Sequence, residues 1–362
     1  MRFAPPNPLR IADRASGLNA LSVRSYNERL VLSLLLQNEG ISRMEIGERT
    51  GLSAQTVSVI VRSLVQEGLV AKGEAQRGRV GPPTIPLSLN PEGAYAVGIG
   101  FSYRWIDIVL IDFVGTVRFH ARLPLPALRE ADAPLLAAVR DAIAVLPAAQ
   151  QARVAGIGLA LPQDVEAGES LADGSLAESG ALQGRIEQSV GLPVFLQNDV
   201  TATAGAESMF GVAKTLDDYL FFFLGARLRG RLVLNHQIYY GNSEVSFDTG
   251  LLRLEAALAA AGRLDGSLWD GDRDWPDGGA AFDAWRRQCR DRLRQSIEGL
   301  TQFIELKTVV LASYAPARIC QGICDDLTSV LPGVRAVASG IGTSAKAVGA
   351  ASLPFSSRFM VQ

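Results

Sequence analysis

Histidine and cysteine are scarce in this 362-residue chain: two of the first (His120, His236) and three of the second (Cys289, Cys320, Cys324). Three cysteines in a chain this long exclude a disulfide framework and fit a reducing compartment. A tetrahedral zinc site needs four converging ligands, and no such set is visible in the spacing, so no metal is expected. Long apolar runs are missing too. One such run, Leu30 to Leu36, is a fragment of an amphipathic helix, far short of the ~20 residues that span a bilayer. Residues 1–16 carry arginines and prolines but no apolar stretch of the signal-peptide kind. A cytoplasmic protein without a membrane segment is expected.

What is present is a globular composition, 48% hydrophobic and 20% charged with 36 glycines, and a length that calls for two or three domains. The net charge of −2 hides an asymmetry. Residues 1–90 hold 11 Lys+Arg and 7 Asp+Glu, giving +4; the remainder holds 24 and 30, giving −6. A basic head on an acidic body is the distribution expected if only the head meets a polyanion.

Three helical signals occupy that head. From Asn27 the apolar residues Leu30, Val31, Leu34, Leu35 and Leu36 cluster at helical spacing and stop at Asn38-Glu39-Gly40. Ser42-Arg43-Met44-Glu45 has capping-box spacing, in which serine and glutamate satisfy each other's orphan amides. The short helix it opens ends at Thr50-Gly51, where glycine permits a tight left-handed turn. Leu52 reads as a buried anchor, and Ser53 caps a third helix that runs to about Glu67 and is closed by Gly68. On it Val57, Val61, Leu64 and Val65 share one face and Gln55, Ser58, Val59 and Arg62 the other. Beyond Gly68, strands are expected at Leu69–Ala71 and Ile85–Leu89. The Gly/Pro/Arg loop of residues 73–83 joins them and carries Arg77 and Arg79 at its tip.

Helix–turn–helix pieces occur in many helical proteins, and a charge run is usually a solvated face. The order here decides for DNA: capped helix, glycine turn, capped third helix, then a basic hairpin. Glutamine can pair with adenine edges and arginine with guanine edges, while serine and valine suit backbone or a thymine methyl. Ser53, Gln55, Thr56, Ser58, Val59 and Arg62 are the candidates for the major groove. Arg77 and Arg79 are placed for phosphates or the minor groove.

From Ala94 the period changes. Strands are expected at 96–100, 105–112, 115–122, 154–160, 193–197, 218–224, 231–234 and 308–312. Helices are expected at 133–146, 202–210, 251–261 and 282–306. Strands first, then α and β elements in alternation, give an α/β body of two lobes with a cleft. Residues 263–279, with Trp269 and Trp275 among Asp and Gly, read as an exposed loop.

The segments Ile41 to Ile46, Gly51-Leu52-Ser53, Thr56-Val57-Ser58, Gly68-Leu69-Val70, Leu87 to Pro91 and Tyr95 to Gly98 resemble the regulators of the ROK family (repressor, open reading frame, kinase). The resemblance runs from about residue 25 to the end and implies an α/β fold. It divides the chain into a tail (1–24), a winged helix-turn-helix (25–90) and a two-lobed, actin-like ATPase domain of the ROK and hexokinase type (91–362). It also implies a repressor that meets an inverted-repeat operator in double-stranded DNA as a homodimer or dimer of dimers, with a carbohydrate effector.

Departures from the family pattern carry as much information as matches. The wing's Gly-Gly-Arg-Pro is here Val80-Gly81-Pro82-Pro83, so Arg77 or Arg79 stands in for the lost arginine. Kinases of the family wrap phosphates with Asp-x-Gly-Gly-Thr and Gly-Thr-Gly-x-Gly, where a side chain would block close approach. This chain has Gly98-Ile99-Gly100-Phe101-Ser102-Tyr103-Arg104 and Gly225-Ala226-Arg227-Leu228-Arg229-Gly230, and a third Gly-Gly has become Ala312-Ser313-Tyr314. No nucleotide cofactor and no kinase activity are expected; the rival readings are an active kinase and a body that only dimerises. The sugar side is better kept. Gln197-Asn198-Asp199 with Ala206-Glu207 resembles the family's Glu-Asn-Asp motif, whose Asp is the general base in the kinases. Glu244 and Glu255 match two sugar-contacting glutamates, although Phe247 replaces a histidine. Asn198, Asp199, Glu244 and Glu255 are therefore the candidate sugar ligands, with a turn and N-cap pair as the plainer reading of the first two. The family's one-His, three-Cys zinc loop has no counterpart between Phe247 and Glu255, and the cysteines read as small buried hydrophobes.

Overall fold

The computed structural model describes residues 25–75, 84–102, 104–125, 132–162, 176–239, 245–264, 266–268, 275, 278–342 and 344–361. Helix α1 (Tyr26–Gln37) is opened by a capping box that the apolar pattern alone did not indicate: the Ser25 hydroxyl accepts the Glu28 N–H, and the Glu28 carboxylate accepts the Ser25 N–H. The Ser42–Glu45 pair does the same for α2 (Arg43–Thr50). Gly51 follows with φ +74°, a conformation that costs an L side chain free energy. It turns the chain into α3 (Ala54–Gln66), capped by Ser53. Strands β1 (Val70–Lys72) and β2 (Leu87–Leu89) pair antiparallel, and Ile41 bridges to Leu87 as a third contact. The head is thus a three-helix unit with a wing, as expected. The wing tip, 76–83, lies outside the described residues.

The body has two sheets. In the first, β3 (Tyr95–Phe101), β4 (Trp105–Asp112) and β5 (Val117–Pro124) form an antiparallel meander. Strands β6 (Val154–Leu161) and β7 (Val194–Asn198) extend β3 in parallel, giving the order β5-β4-β3-β6-β7. Helices α4 (Ala133–Ala144) and α5 (Leu176–Val190) belong to this lobe. Helix α6 (Asp199–Phe210) leads to the second sheet, built from β8 (Tyr219–Leu224), β9 (Leu228–Leu234), β10 (Gln237–Ile238), β11 (Val245–Phe247), β12 (Thr308–Ser313) and β13 (Arg335–Ala338). Its order is β10-β9-β8-β12-β13, with β11 on β9. Helices α7 (Leu251–Ala260), α8 (Ala280–Thr301) and α9 (Ala317–Val330) accompany it, and α10 (Ala345–Phe359) closes the chain. Each sheet begins as a hairpin and continues in parallel strands, the repeated plan of an actin-like fold.

The expected helix at 282–306 stops at Thr301, and α5, α9 and β13 were not foreseen. Short strands and long apolar stretches carried the foreseen elements; α9 was overlooked despite a helical period that buries Ile319, Cys320, Ile323, Cys324 and Leu327. The loop expected to be exposed at 263–279 is exposed at Arg263, Gly266 and Gly279 but packed elsewhere where it is described. Leu268 is buried, Leu264 and Trp275 lie against the core of the second lobe, and Arg318 donates to the Trp275 carbonyl.

Helix α10 is the central element. A Cβ on Gly98 would lie 1.9 Å from the Ala347 carbonyl oxygen, and one on Gly158 would lie 1.7 Å from that of Ala350. Only glycine in β3 and β6 lets the helix this close. Pro354 stands four residues after Ala350 and has no N–H to give that carbonyl, yet the helix continues through it to Phe359. Its far end joins the head: Arg29 Nε donates to Met360 O (2.6 Å), Arg29 Nη2 to Ser356 O (3.3 Å), and Val361 N to Ser33 Oγ (2.9 Å). Val31, Leu35, Val61 and Leu64 of the head form one continuous apolar cluster with Phe113, Ala206, Phe355 and Phe359 of the body. Phe113 meets Phe355 and Phe359 edge-on at 5.3 and 5.0 Å.

Two outcomes are expected. Gly158→Ala should destabilise the fold by roughly the 1–3 kcal/mol typical of overpacking, or more, because a backbone carbonyl cannot yield like a side chain. Phe355→Ala should cost about 3–5 kcal/mol and lower the head and body transitions together. Urea denaturation followed by far-UV circular dichroism and by a fluorophore on the head checks both.

Candidate nucleic-acid interface and ligand cleft

Helix α3 is held from inside by Val57, Ile60, Val61 and Leu64, all buried. Ile60, not Val65, completes that face; Val65 is half-buried. Gln55, Val59 and Arg62 point outward, and Val59 is 59% exposed, high for a valine that no neighbour covers. Ser58 is half-buried at the edge of the same face. Ser53 and Thr56 engage each other: the Ser53 hydroxyl accepts the Thr56 N–H at 3.2 Å and lies 2.9 Å from its hydroxyl oxygen. They shape the helix start as a cap. Arg77 and Arg79 fall outside the described residues.

In the body, β7 delivers Asn198 to the N-terminus of α6, where its side-chain oxygen accepts the Val200 and Thr201 N–H groups at 3.0 and 3.1 Å. That is the capping role weighed above. Arg231 of β9 also donates to this oxygen at 2.9 Å and to the Thr201 hydroxyl at 2.8 Å. Asp199, the first residue of the helix, is 0% exposed. Its carboxylate receives both terminal nitrogens of Arg229, at 3.2 and 3.1 Å, the Val200 N–H at 2.8 Å, and the Lys346 ammonium from the first turn of α10. Burial alone would raise the Asp199 carboxyl, but the Arg229 and Lys346 charges outweigh it and hold it below the ordinary carboxylate range. Lys346 further donates to the Phe101 carbonyl at 3.3 Å and sits 5.0 and 5.3 Å from the ring centres of Phe223 and Tyr314.

At the three places that the resemblance assigns to phosphates, the described residues make contacts among themselves. At the first hairpin, the Ser102 amide and hydroxyl both donate to the Trp105 carbonyl at 2.9 Å. At the second, the expected loop 225–230 is shorter than its sequence suggested. The turn is 225–227, and β9 begins at Leu228, so Arg229 and Arg231 are strand residues facing α6. The α7 N-terminus abuts this turn. Leu251 and Leu252 N–H groups donate to the Gly225 and Ala226 carbonyls at 2.8 and 3.2 Å, so amides that would suit an anion already have partners. At the third, Ser313 Oγ donates to Leu224 O at 2.6 Å, and buried Tyr314 meets Phe223 and Trp105 edge-on.

Asn198 and Asp199 thus stand together. Glu255 is engaged elsewhere, its carboxylate accepting the Ser267 hydroxyl and the Leu268 N–H at 3.0 and 3.2 Å. Glu244 lies outside the described residues. Among the described residues no group of His, Cys, Asp and Glu is arranged to hold a metal, and all three cysteines are free and buried. Lys346 and Arg229, the partners of Asp199, and Arg231, the partner of Asn198 and Thr201, are the site residues that motif matching missed. Two signals pointed to them: a lone lysine in the apolar run Ala345-Lys346-Ala347-Val348, and arginine at alternate positions of Arg227-Leu228-Arg229-Gly230-Arg231, which a strand places on one face.

A three-helix head with a wing, fused to two lobes of sugar-kinase topology, defines the class of helix-turn-helix regulators built on kinase-like bodies. A MarR family model matches residues 24–79, and a ROK family model matches residues 95–262. The chain thus joins a MarR-type head to a ROK-type body. It is 27% identical to the xylose repressor of Bacillus subtilis over 244 residues, covering 64% of this chain and 62% of the repressor. A crystal structure of a ROK family transcriptional regulator, a homologue of the E. coli MLC protein, superimposes with a TM-score of 0.62 at 18% identity, over 92% of this chain and 96% of that one. A ROK family glucokinase from Streptomyces griseus, solved with glucose and AMPPNP, gives 0.53 at 16% identity over 72% and 99%.

Asp199→Asn should be strongly destabilising, by about 3–5 kcal/mol at neutral pH, because it leaves two buried cations without their counter-charge. Because the folded carboxyl is depressed, its contribution is present above the unfolded value of about 4 and is lost as pH falls through the folded value. Urea midpoints measured from pH 7 downward should therefore fall less steeply in Asp199→Asn than in the parent.

Proposed function

We propose that this protein is a cytoplasmic, DNA-binding transcription regulator, a repressor, whose body responds to a sugar or sugar derivative and transfers no phosphate. The observation that carries the DNA reading is the outward face of α3. Gln55, Val59 and Arg62 are presented by a helix whose opposite face is locked into the core, which is how a recognition helix is offered to a major groove. The xylose repressor among the relatives supports a sugar as effector; of the four motif-matched residues, Asn198, Asp199 and Glu244 would meet it, Glu255 being held by Ser267 and Leu268. Two such heads related by a two-fold axis would read an inverted repeat, with half-sites about one helical turn apart or a multiple of it. No helix among the described residues is long and apolar enough to cross a membrane, in keeping with a soluble regulator.

The surroundings of Asp199 support the reading without kinase chemistry. A general base needs a carboxylate free to accept the substrate's proton, and this one is committed to two cations and held at low basicity. The same observation favours a second reading, in which the body is a dimerisation scaffold that takes no sugar. Thermal-shift measurements separate the two, since a ligand specific for the native state must raise the melting temperature.

Operator sequences selected from a random or genomic pool should be bound in preference to unrelated DNA. Gln55→Ala and Arg62→Ala should each lose about 1–3 kcal/mol of discrimination at one or two base positions. Gel-shift titrations at fixed salt measure this; unchanged binding in both variants would sink the assignment. Incubation with ATP, magnesium and hexoses should yield no sugar phosphate, and a turnover abolished by Asp199→Asn would reverse that conclusion.

A further inference from the structure

Among the described residues, a cavity of about 600 Å³ opens on the second lobe, apart from the Asp199 cluster. One wall is the turn after α6, with Val212, Thr215 and Leu216; the other is β13, Arg335 to Ala338, with Thr308 and Gln321 beside it. Such a volume is typical of small-molecule sites. The lining is mixed. Val212, Leu216, Ala336, Val337 and Ala338 give an apolar floor, while Thr215 and Thr308 offer hydroxyls. Arg335, exposed at the mouth, is the one charged residue in the lining, and its guanidinium makes no hydrogen bond or ion pair with any described residue. An arginine beside an apolar floor, with no acid in the same wall, is complementary to a molecule with an apolar body and one anionic group.

The walls of this cavity are joined to each other and to the head. Glu207, buried in the last turns of α6, accepts the Val212 N–H at 3.1 Å and the hydroxyl of Ser339, the residue after β13. One carboxylate therefore spans both walls. Within the turn, Lys214 Nζ lies 3.5 Å from Glu39 Oε1, in the α1–α2 connection of the head. Phe210, immediately before the turn, packs against the core that head and body share. We infer that this cavity is a second ligand site, for a small apolar carboxylate or phosphate, whose occupation is felt by the head through the 211–216 turn. It is distinct in place and in ligand chemistry from the sugar cleft and needs no change at Asp199.

The test uses the full chain and three probes. Benzoate has an apolar body with a carboxylate, benzyl alcohol the same body without charge, and inorganic phosphate charge without the body. Saturation-transfer NMR titrations are run on the parent protein, on Arg335→Gln and on Ala338→Phe, which fills the floor; unchanged melting temperatures establish that the variants fold. Benzoate should bind saturably, with affinity lower by about tenfold or more in each variant, as expected for losing a charge-assisted contact or the space itself. Benzyl alcohol should be weaker than benzoate by a similar factor. Hydrogen exchange should slow at 211–216 and around Glu39 when benzoate binds the parent, and stay unchanged in Arg335→Gln. Absence of saturable benzoate binding, equal binding in Arg335→Gln, or phosphate binding as tight as benzoate would each overturn the proposal. Because no DNA and no sugar enter the experiment, its failure would leave the regulator assignment standing.

Discussion

The close approach of α10 to its neighbours is the constraint on which the molecule depends. A helix rests on a sheet at a distance set by side chains; here the helix backbone nearly touches two strands, because Gly98 and Gly158 have none. On its other side, Gly349 lies so close to α6 that a Cβ would sit 2.7 Å from the Ala202 backbone. The helix is therefore clamped between the first sheet and α6 by packing that tolerates almost no added volume. Over 15 residues, about 22 Å, it runs from the Lys346–Asp199 contact to the hydrogen bonds with α1. Cleft and head sit at the two ends of one rigid element.

The cleft at one end of this helix is occupied by an ion cluster. In a phosphoryl-transferring enzyme the charge in such a corner arrives with the substrate, as phosphates and magnesium. Here it is built in, as a lysine and an arginine flanking one aspartate, with aromatic rings and hairpin hydrogen bonds where glycine amides would be. A buried ion cluster is not a clear net gain over a well-packed apolar one, so added stability is a weak account of its retention. Its geometric effect is definite: it pins α6, β9 and α10 to one another at the point where the two lobes meet.

Much of this was legible in the chain, and the boundary of legibility has a physical cause. Capped helices at Ser42 and Ser53, the glycine turn at Gly51 and the apolar strands 105–112 and 154–160 are local signals, and the structure places each within a residue or two. The inner face of α3 was read nearly correctly, with Ile60 overlooked in favour of Val65. Motif comparison found the Asn198–Asp199 pair and the spoiled phosphate loops. What it did not give is what replaced them, because Lys346 lies 147 positions beyond Asp199 and no local pattern encodes a contact across that separation. Glu255 illustrates the converse. A match by motif gave a plausible ligand, and the structure shows its carboxylate tying down Ser267 and Leu268. Helices α5 and α9 are stabilised as parts of the lobes they pack in, α9 through the apolar face of Ile319, Ile323 and Leu327.

The continuous apolar cluster beneath the head bears on how such proteins diversify. Repressors assembled from a reading module and a sensing module are often pictured as interchangeable parts on a flexible tether. Here Val31, Leu35 and Leu64 share their packing partners with Phe113, Phe355 and Phe359, and Arg29 is fastened to the last turn of the chain. A head transplanted from a cousin would bring a surface cut to a different body. New operator preferences are thus more accessible by changing a few outward side chains of α3 than by exchanging the domain whole.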